Sequence, residues 1–277
     1  MINFSLGIYE KAMPDTMAIE DKMMYAKKVG YDFLELTIDQ NPERQKRLDW
    51  TIEKRHEFCK FMHTNGITAT TLSLSALRDY TLGSSDPECE KHGIDMLLKC
   101  IDLAYDIGAR IILINGYDEF NFKSTKDTRK RFLKNLDYCT RYAALKGVII
   151  GLENADKEFA DNIRKTTAIV NEIGSPFLKV YADIGNAMNA AVKYEDDIIS
   201  DITSGAGAIV AVHLKDTLPG EYRFIRYGDG HVDFSSCIDC LMNSGVGLYM
   251  AELFYREELD WKKEMKSTHD FLRGFFA

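Results

Sequence analysis

The sequence predicts an α/β protein folded as one (β/α)8 barrel, and three observations carry that prediction. Short apolar runs alternate with segments of helical period along the whole chain. Several runs are apolar nearly throughout, as a parallel strand covered on both faces requires. Four of them stop on a residue able to bind a divalent cation, namely Glu153, Asp183, His213 and Glu252, and the first three stops are about one strand-plus-helix unit apart.

The strand candidates are, in order, INFSLGI (2–8), FLELT (33–37), ITATTLS (67–73), RIILIN (110–115), VIIGLE (148–153), LKVYAD (178–183), AIVAVH (208–213) and LYMAE (248–252). Between them lie AIEDKMMYAKKVG, the stretch Trp50–Thr64, ECEKHGIDMLLKCIDLAYDIG, DTRKRFLKNLDYCTRYAALKG, DNIRKTTAIVNEIG and DFSSCIDCLMNSG, each with helical period. Most of these end in glycine (Gly30, Gly66, Gly108, Gly147, Gly174, Gly245), which accepts a left-handed C-cap without steric cost. Asp233 has the chemistry of an N-cap for the segment it opens. A last helix is expected from about Glu258 to Phe275. No linker or composition break divides the chain, so residues 1–277 are expected to form a single TIM barrel domain. A doubly wound open sheet would carry a glycine-rich turn after its first strand, and GIYEKAMPD is not one.

Composition narrows the partners. With 35 Lys and Arg against 43 Asp and Glu, the net charge is −8, and no basic block stands out. A nucleic-acid partner is disfavoured, because binding one requires a positive surface that displaces counterions from phosphates. No apolar stretch approaches the ~18 residues of a membrane span, and MINFSLGIYEKA lacks the layout of a signal peptide. A soluble, cytoplasmic protein without a membrane partner is therefore expected. The six cysteines are scattered and expected to be reduced; Cys237 and Cys240 form a CxxC inside a helical pattern, where packed cysteines are favoured over a redox or zinc pair.

Taken singly, Glu153 or Asp183 could cap a helix or turn, and His213 could be a hydrogen-bonded core histidine. The case rests on the set. Carboxyl ends of barrel strands face one mouth, where barrel active sites are built. Anionic and imidazole groups crowded there repel one another and are poorly solvated unless a cation joins them. Three oxygen donors and one nitrogen suit Mn²⁺, Mg²⁺ or Co²⁺, with Zn²⁺ also open. Remaining coordination positions would accept a carbonyl and a hydroxyl of a sugar.

The stretches GIYEKA (7–12), RLDW (47–50), LGSSD (82–86), INGYD (114–118), DIGN (183–186), VAVHLKDTLPG (210–220), GDGHVDF (228–234) and AELF (251–254) span nearly the full length. Through them the chain resembles the xylose isomerase-like barrel superfamily of sugar isomerases and epimerases. HLKD and GxGxVDF are shared widely there, whereas GIYEKA with RLDW and LGSSD is narrower and resembles the L-ribulose-5-phosphate 3-epimerase branch (also called L-xylulose-5-phosphate 3-epimerase).

The resemblance implies a metal-dependent 3-epimerase that interconverts L-ribulose 5-phosphate and L-xylulose 5-phosphate. The C3 proton would leave and return on the opposite face through a metal-stabilised enediolate. It implies Glu153 and Glu252 as the two bases that also bind metal, and Asp183 and His213 as ligands only. Tyr9 and Glu10, at the end of the first strand, are expected substrate contacts, and Lys11, Arg78, Lys215, Arg223 and Arg226 are candidates for the 5-phosphate. The GDG loop (228–230) could offer backbone N–H groups to a ligand or simply turn the chain. Barrels of this kind often form homodimers, an expectation carried by the resemblance alone.

One departure bears on substrate. After the third strand the branch is expected to read Ser-Ala-His-Arg-Arg-Phe, and this chain has Ser75-Ala76-Leu77-Arg78-Asp79-Tyr80. Alternatives therefore stay open: a related isomerase or epimerase acting on another ketose, phosphorylated or free, a polyol dehydratase, or a non-enzymatic binding barrel. A DNA-repair endonuclease of the same superfamily would need more than six histidines and a basic face.

Overall fold

Eight parallel strands pair in sequence order and the last pairs with the first, so the sheet has no edge. They are β1 (Ser5–Tyr9), β2 (Phe33–Thr37), β3 (Thr68–Ser73), β4 (Ile111–Asn115), β5 (Ile149–Glu153), β6 (Leu178–Asp183), β7 (Ile209–Leu214) and β8 (Leu248–Ala251). The computed structural model describes residues 4–276. Outside the ring lie α1 (Ile19–Val29), α2 (Pro42–Gln45), α3 (Ile52–Asn65), α4 (Pro87–Ile107), α5 (Lys126–Lys146), α6 (Ile163–Ile173), α7 (Ile184–Tyr194), α8 (Ile198–Ser204), α9 (Phe234–Asn243) and α10 (Trp261–Arg273).

The core has two parts because each strand has two buried faces. Leu34 and Leu36 of β2, Ile112 and Ile114 of β4 and Val212 and Leu214 of β7 join the helices in one large cluster. The alternate residues face inward, where Ile111, Leu113, Tyr181 and Ala211 form one small cluster and Tyr9, Phe33 and Met250 another. Gly151 of β5 makes room there: a Cβ would sit 3.0 Å from the Tyr181 ring. Left-handed glycines close several helices as expected, Gly66 (φ 58°) and Gly147 (φ 64°) among them.

Three helices were not legible, among them α2, whose four residues are too few to show a period. In α7 the chain turns helical immediately after β6; Asp183 is the N-cap, its Oδ1 accepting from Asn186 N at 2.9 Å. Because the helix opens on Ile-Gly-Asn, the segment reads as a turn. The seven residues of α8 are too few to show a period. Boundaries shifted elsewhere. β1 begins at Ser5 and runs on to Tyr9, residues 2 and 3 of the expected run lying outside the described residues. The last helix is shorter than 258–275, since Asp260 caps it by accepting from Lys262 N and Lys263 N. All six cysteines are free, Cys237 buried and Cys240 half-buried on α9. Among the described residues no helix is long and apolar enough to cross a membrane.

Candidate active site

The period of two that sends Tyr181 inward also sends Asp183 inward, and the same holds for Ala211 and His213 and for Met250 and Glu252. In the ladder Asp183 stands opposite His213, and Asn115 opposite Glu153. Glu252 lies one residue past β8, held by its N–H to Leu214 O at 2.9 Å. One ligand atom each from Glu153, Asp183, His213 and Glu252 lies within 4.8 Å of the others. The structure thus brings the four together.

Their environment fits a cation. His213 Nδ1 is 2.8 Å from Glu153 Oε1 and 3.7 Å from Glu252 Oε2, yet neither Nδ1 nor Glu252 Oε2 has a partner in hydrogen-bond geometry. Buried polar atoms are rarely left in that state, and a divalent cation accepts lone pairs from all of them at once. Lys215 is seated among them, with Nζ 2.6 Å from Asp183 Oδ2 and 2.9 Å from Glu252 Oε2.

The electrostatics follow from that crowding. Burial pushes the Asp183 carboxyl up, with Glu252 and Glu153 adding to it and Lys215 only partly opposing. For Glu252 burial also pushes up, but Lys215 and His213 outweigh it and hold the carboxyl low. Burial disfavours the His213 imidazolium, yet Glu35, Glu252 and Glu153 hold it well above the ordinary range. These groups store strong, mutually dependent charge preferences, as proton-transfer sites do.

Glu153, His213 and Glu252 line a cavity of about 250 Å³, with Asp183 behind them. Tyr9, Lys11, Arg78 and Lys215 line it, as does Arg223. Arg78 lies over the rings of Tyr117 and Phe120, 6.0 and 5.1 Å from the centroids, and its buried Nε has no partner. Among the described residues neither Arg78 nor Arg223 has a carboxylate within ion-pair distance, whereas Lys11 is committed to Asp39 at 2.9 Å.

Two expected contacts are elsewhere. Glu10 points away from the cavity and is only 1% exposed. Its carboxylate accepts from Arg47 Nη1 and Nη2 at 2.5 and 2.8 Å and from Thr37 N at 2.9 Å, with Lys22 and Arg44 beside it. A buried carboxylate needs such partners, and it finds them behind the strand rather than at the mouth. Arg226 is exposed and pairs with Glu264 at 3.0 Å, on a separate cavity. The GDG loop turns inward on protein: Asp216 Oδ2 accepts from Gly228 N and Gly230 N at 2.9 and 3.0 Å. A Cβ at Gly230 would sit 2.0 Å from Asp216 Oδ1, so only glycine allows this approach.

Neither Leu77 nor Asp79 of the departure after the third strand lines the cavity. Leu77 is buried in the outer core and Asp79 is exposed outside the cavity, while Ser75 and Arg78 of the same turn line it. Other lining residues were given no role: Asn115, which donates to Glu153, and Tyr117 lie in INGYD, and Asp156, hydrogen-bonded to Tyr117, lies outside any motif. Glu35 did carry a sequence signal. It is a charged residue in the middle of the apolar run FLELT, and a buried charge needs a partner.

Residues 24–275 match the family described as Xylose isomerase-like TIM barrel. The chain is 33% identical over 273 residues to L-ribulose-5-phosphate 3-epimerase UlaE of Escherichia coli (strain SMS-3-5 / SECEC), covering 98% of this chain and 95% of that one. Among solved structures, D-psicose 3-epimerase of Clostridium cellulolyticum H10 with D-tagatose has a TM-score of 0.80 at 17% identity, covering 99% of each chain. A structure of L-ribulose 3-epimerase has a TM-score of 0.79 at 18% identity, covering 99% of this chain and 96% of that one. An isomerase-class enzyme acting on carbohydrates is the class that this fold and these relatives define. Its barrel closes in sequence order with the candidate cluster at the carboxyl ends of the strands. The chain belongs to the Xylose isomerase-like TIM barrel family.

Proposed function

We propose that the protein is a metal-dependent 3-epimerase that interconverts L-ribulose 5-phosphate and L-xylulose 5-phosphate. The observation that carries this reading is that one cavity is lined by three members of the cluster, Glu153, His213 and Glu252, and by two guanidinium groups, Arg78 and Arg223, without a carboxylate partner among the described residues. The cluster suits the hydroxyketone end of the sugar, and Arg78 and Arg223 suit a phosphate dianion at the other.

Glu153, Asp183, His213 and Glu252 would hold a divalent cation, which when bound would supply Lewis acidity to the hydroxyketone end of the sugar. The remaining work belongs to the side chains. Glu153 and Glu252 come from β5 and from the end of β8, three strands apart around the ring, an arrangement suited to approaching C3 from different sides. One takes the C3 proton and the other returns one to the opposite face. Asn115 fixes Glu153 by donating to its Oε2. The Lys215 ammonium keeps Glu252 ionised in readiness to accept a proton. Tyr9 and Phe254 wall the cavity with apolar surface and limit water at the reacting carbon.

The test is incubation with L-ribulose 5-phosphate in deuterated water with added Mg²⁺ or Mn²⁺, following label at C3 by mass spectrometry. Label appearing at C3 together with L-xylulose 5-phosphate is expected. Unlabelled product, or label at C1 alone, would sink the two-base reading. Faster turnover of unphosphorylated L-ribulose would instead mark a free ketose as substrate.

A further inference from the structure

Glu35 does not itself line the cavity, yet it contacts the one nitrogen ligand of the candidate cluster. It sits mid-strand in β2 with 0% exposure. Tyr181 Oη and Thr71 Oγ1 donate to its Oε2 at 2.8 and 2.7 Å, which leaves Oε1 for His213 Nε2 at 2.8 Å. A carboxylate has only acceptors, so the ring nitrogen facing it carries a proton. The other nitrogen, Nδ1, lies 2.8 Å from Glu153 Oε1 but outside hydrogen-bond geometry, so it is the one that can give up its proton and offer a lone pair to a cation.

The ring is fixed in its other directions by packing. Tyr181 meets it edge-on at 4.9 Å and Tyr9 lies tilted at 5.8 Å. Those contacts hold the plane of the imidazole but would tolerate a flip exchanging nitrogen for carbon, since they are apolar. The hydrogen bond to Glu35 is the contact that tells the two ring edges apart.

We infer that Glu35 is a positioning residue for the active site: it fixes His213 as the Nε2–H form and aims Nδ1 at the cluster. The inference rests on the reading of the quartet as a cation site, and the experiment separates the two. Glu35→Gln keeps the shape and an acceptor but loses the charge; Glu35→Leu loses the acceptor. Tyr181→Phe is the control, since it perturbs the same buried spot and leaves the Glu35–His213 contact in place. With ¹⁵N-labelled histidine, the wild-type protein should show a downfield, exchange-protected Nε2 proton that is lost in Glu35→Leu. Calorimetric Mg²⁺ or Zn²⁺ affinity should fall about 10- to 100-fold in Glu35→Gln, and less than about threefold in Tyr181→Phe, on the order of measurement scatter for a site whose ligands and orienting carboxylate are intact. Should Glu35→Leu not fold, Glu35→Gln and the wild-type proton signal still decide the matter. A wild-type Nε2 without a proton, or cation affinity in Glu35→Gln equal to wild type, overturns the inference. A protected Nε2 proton that depends on Glu35, in a wild-type protein that binds no cation, refutes the cation reading and upholds the role of Glu35.

Discussion

Glu153 and Glu252 are both acid/base candidates and ligand candidates, and their variants should separate the two roles. Replacing either by Gln keeps an oxygen donor but removes the base, so kcat should fall about 10²- to 10⁴-fold. Deuterium wash-in should survive from the epimer whose C3 proton faces the remaining base. Near-normal kcat in either variant would falsify the two-base assignment. Arg78 and Arg223 should behave differently, because their proposed partner is the phosphate rather than the C3 proton. Each hydrogen bond to a charged group contributes about 1.5–3 kcal/mol, so Ala at either position should lower kcat/KM for the phosphorylated substrate about 10- to 100-fold. Turnover of the free ketose should hardly change; an equal loss on both substrates would remove these arginines from phosphate recognition.

At the scale of elements, the narrow motifs also do packing work, although Tyr9 and Lys11 of GIYEKA line the cavity. GIYEKA and RLDW meet through Glu10 and Arg47, a buried bidentate pair that fixes the end of β1 against the turn after α2. LGSSD supplies Asp86, the N-cap of α4, and Gly83, where a Cβ would sit 2.3 Å from Asp118 O. HLKD and GDG meet through Asp216, which gathers the loop after β7. Burial raises the Glu10 carboxyl, but Arg47, Lys22 and Arg44 overcome it and hold it below its ordinary 4.5. A depressed carboxylate contributes stability above its unfolded value, and that contribution is lost as pH falls through the lower folded value. Glu10→Gln should therefore cost about 3 kcal/mol at neutral pH and flatten the loss of stability below pH 4.5. Urea unfolding across that range checks it; an acid limb as steep as that of the wild type would show that other carboxylates govern it.

For the whole molecule, the site is a place where folding and ligand binding are linked. The native barrel gathers three carboxylates that the unfolded chain keeps apart, and Lys215 balances only part of their charge. A cation bound only to the native state at 100 times its Kd adds about 2.7 kcal/mol, and for a chain of this size each kcal/mol is worth roughly 2–4 °C in Tm. Mg²⁺ or Mn²⁺ should thus raise Tm by roughly 5–10 °C, and His213→Ala should abolish the rise. Lys215→Met should lower the Tm of the metal-free protein and enlarge the cation-induced rise, because cation and ammonium share Asp183 and Glu252. Equal rises in wild type and Lys215→Met would show that they do not.

How much of this was legible depends on distance along the chain. Strand and helix periods are local, so the barrel could be read from the alternation of apolar runs, and the quartet from its repeated place at strand ends. The signal failed where local chemistry pointed two ways: Ile-Gly-Asn after Asp183 opens a helix while reading as a turn, and Glu10 beside Tyr9 faces behind the strand while Tyr9 faces the mouth. The sequence by itself determined the alternation that closes the ring and the four donors at its carboxyl end. Only the tertiary structure decided that Glu35 meets His213 across 178 positions, that Arg47 rather than substrate meets Glu10, and that Arg78 keeps its charge free. Such pairings depend on which side chains the closed ring brings within about 3 Å, and no local pattern encodes that distance.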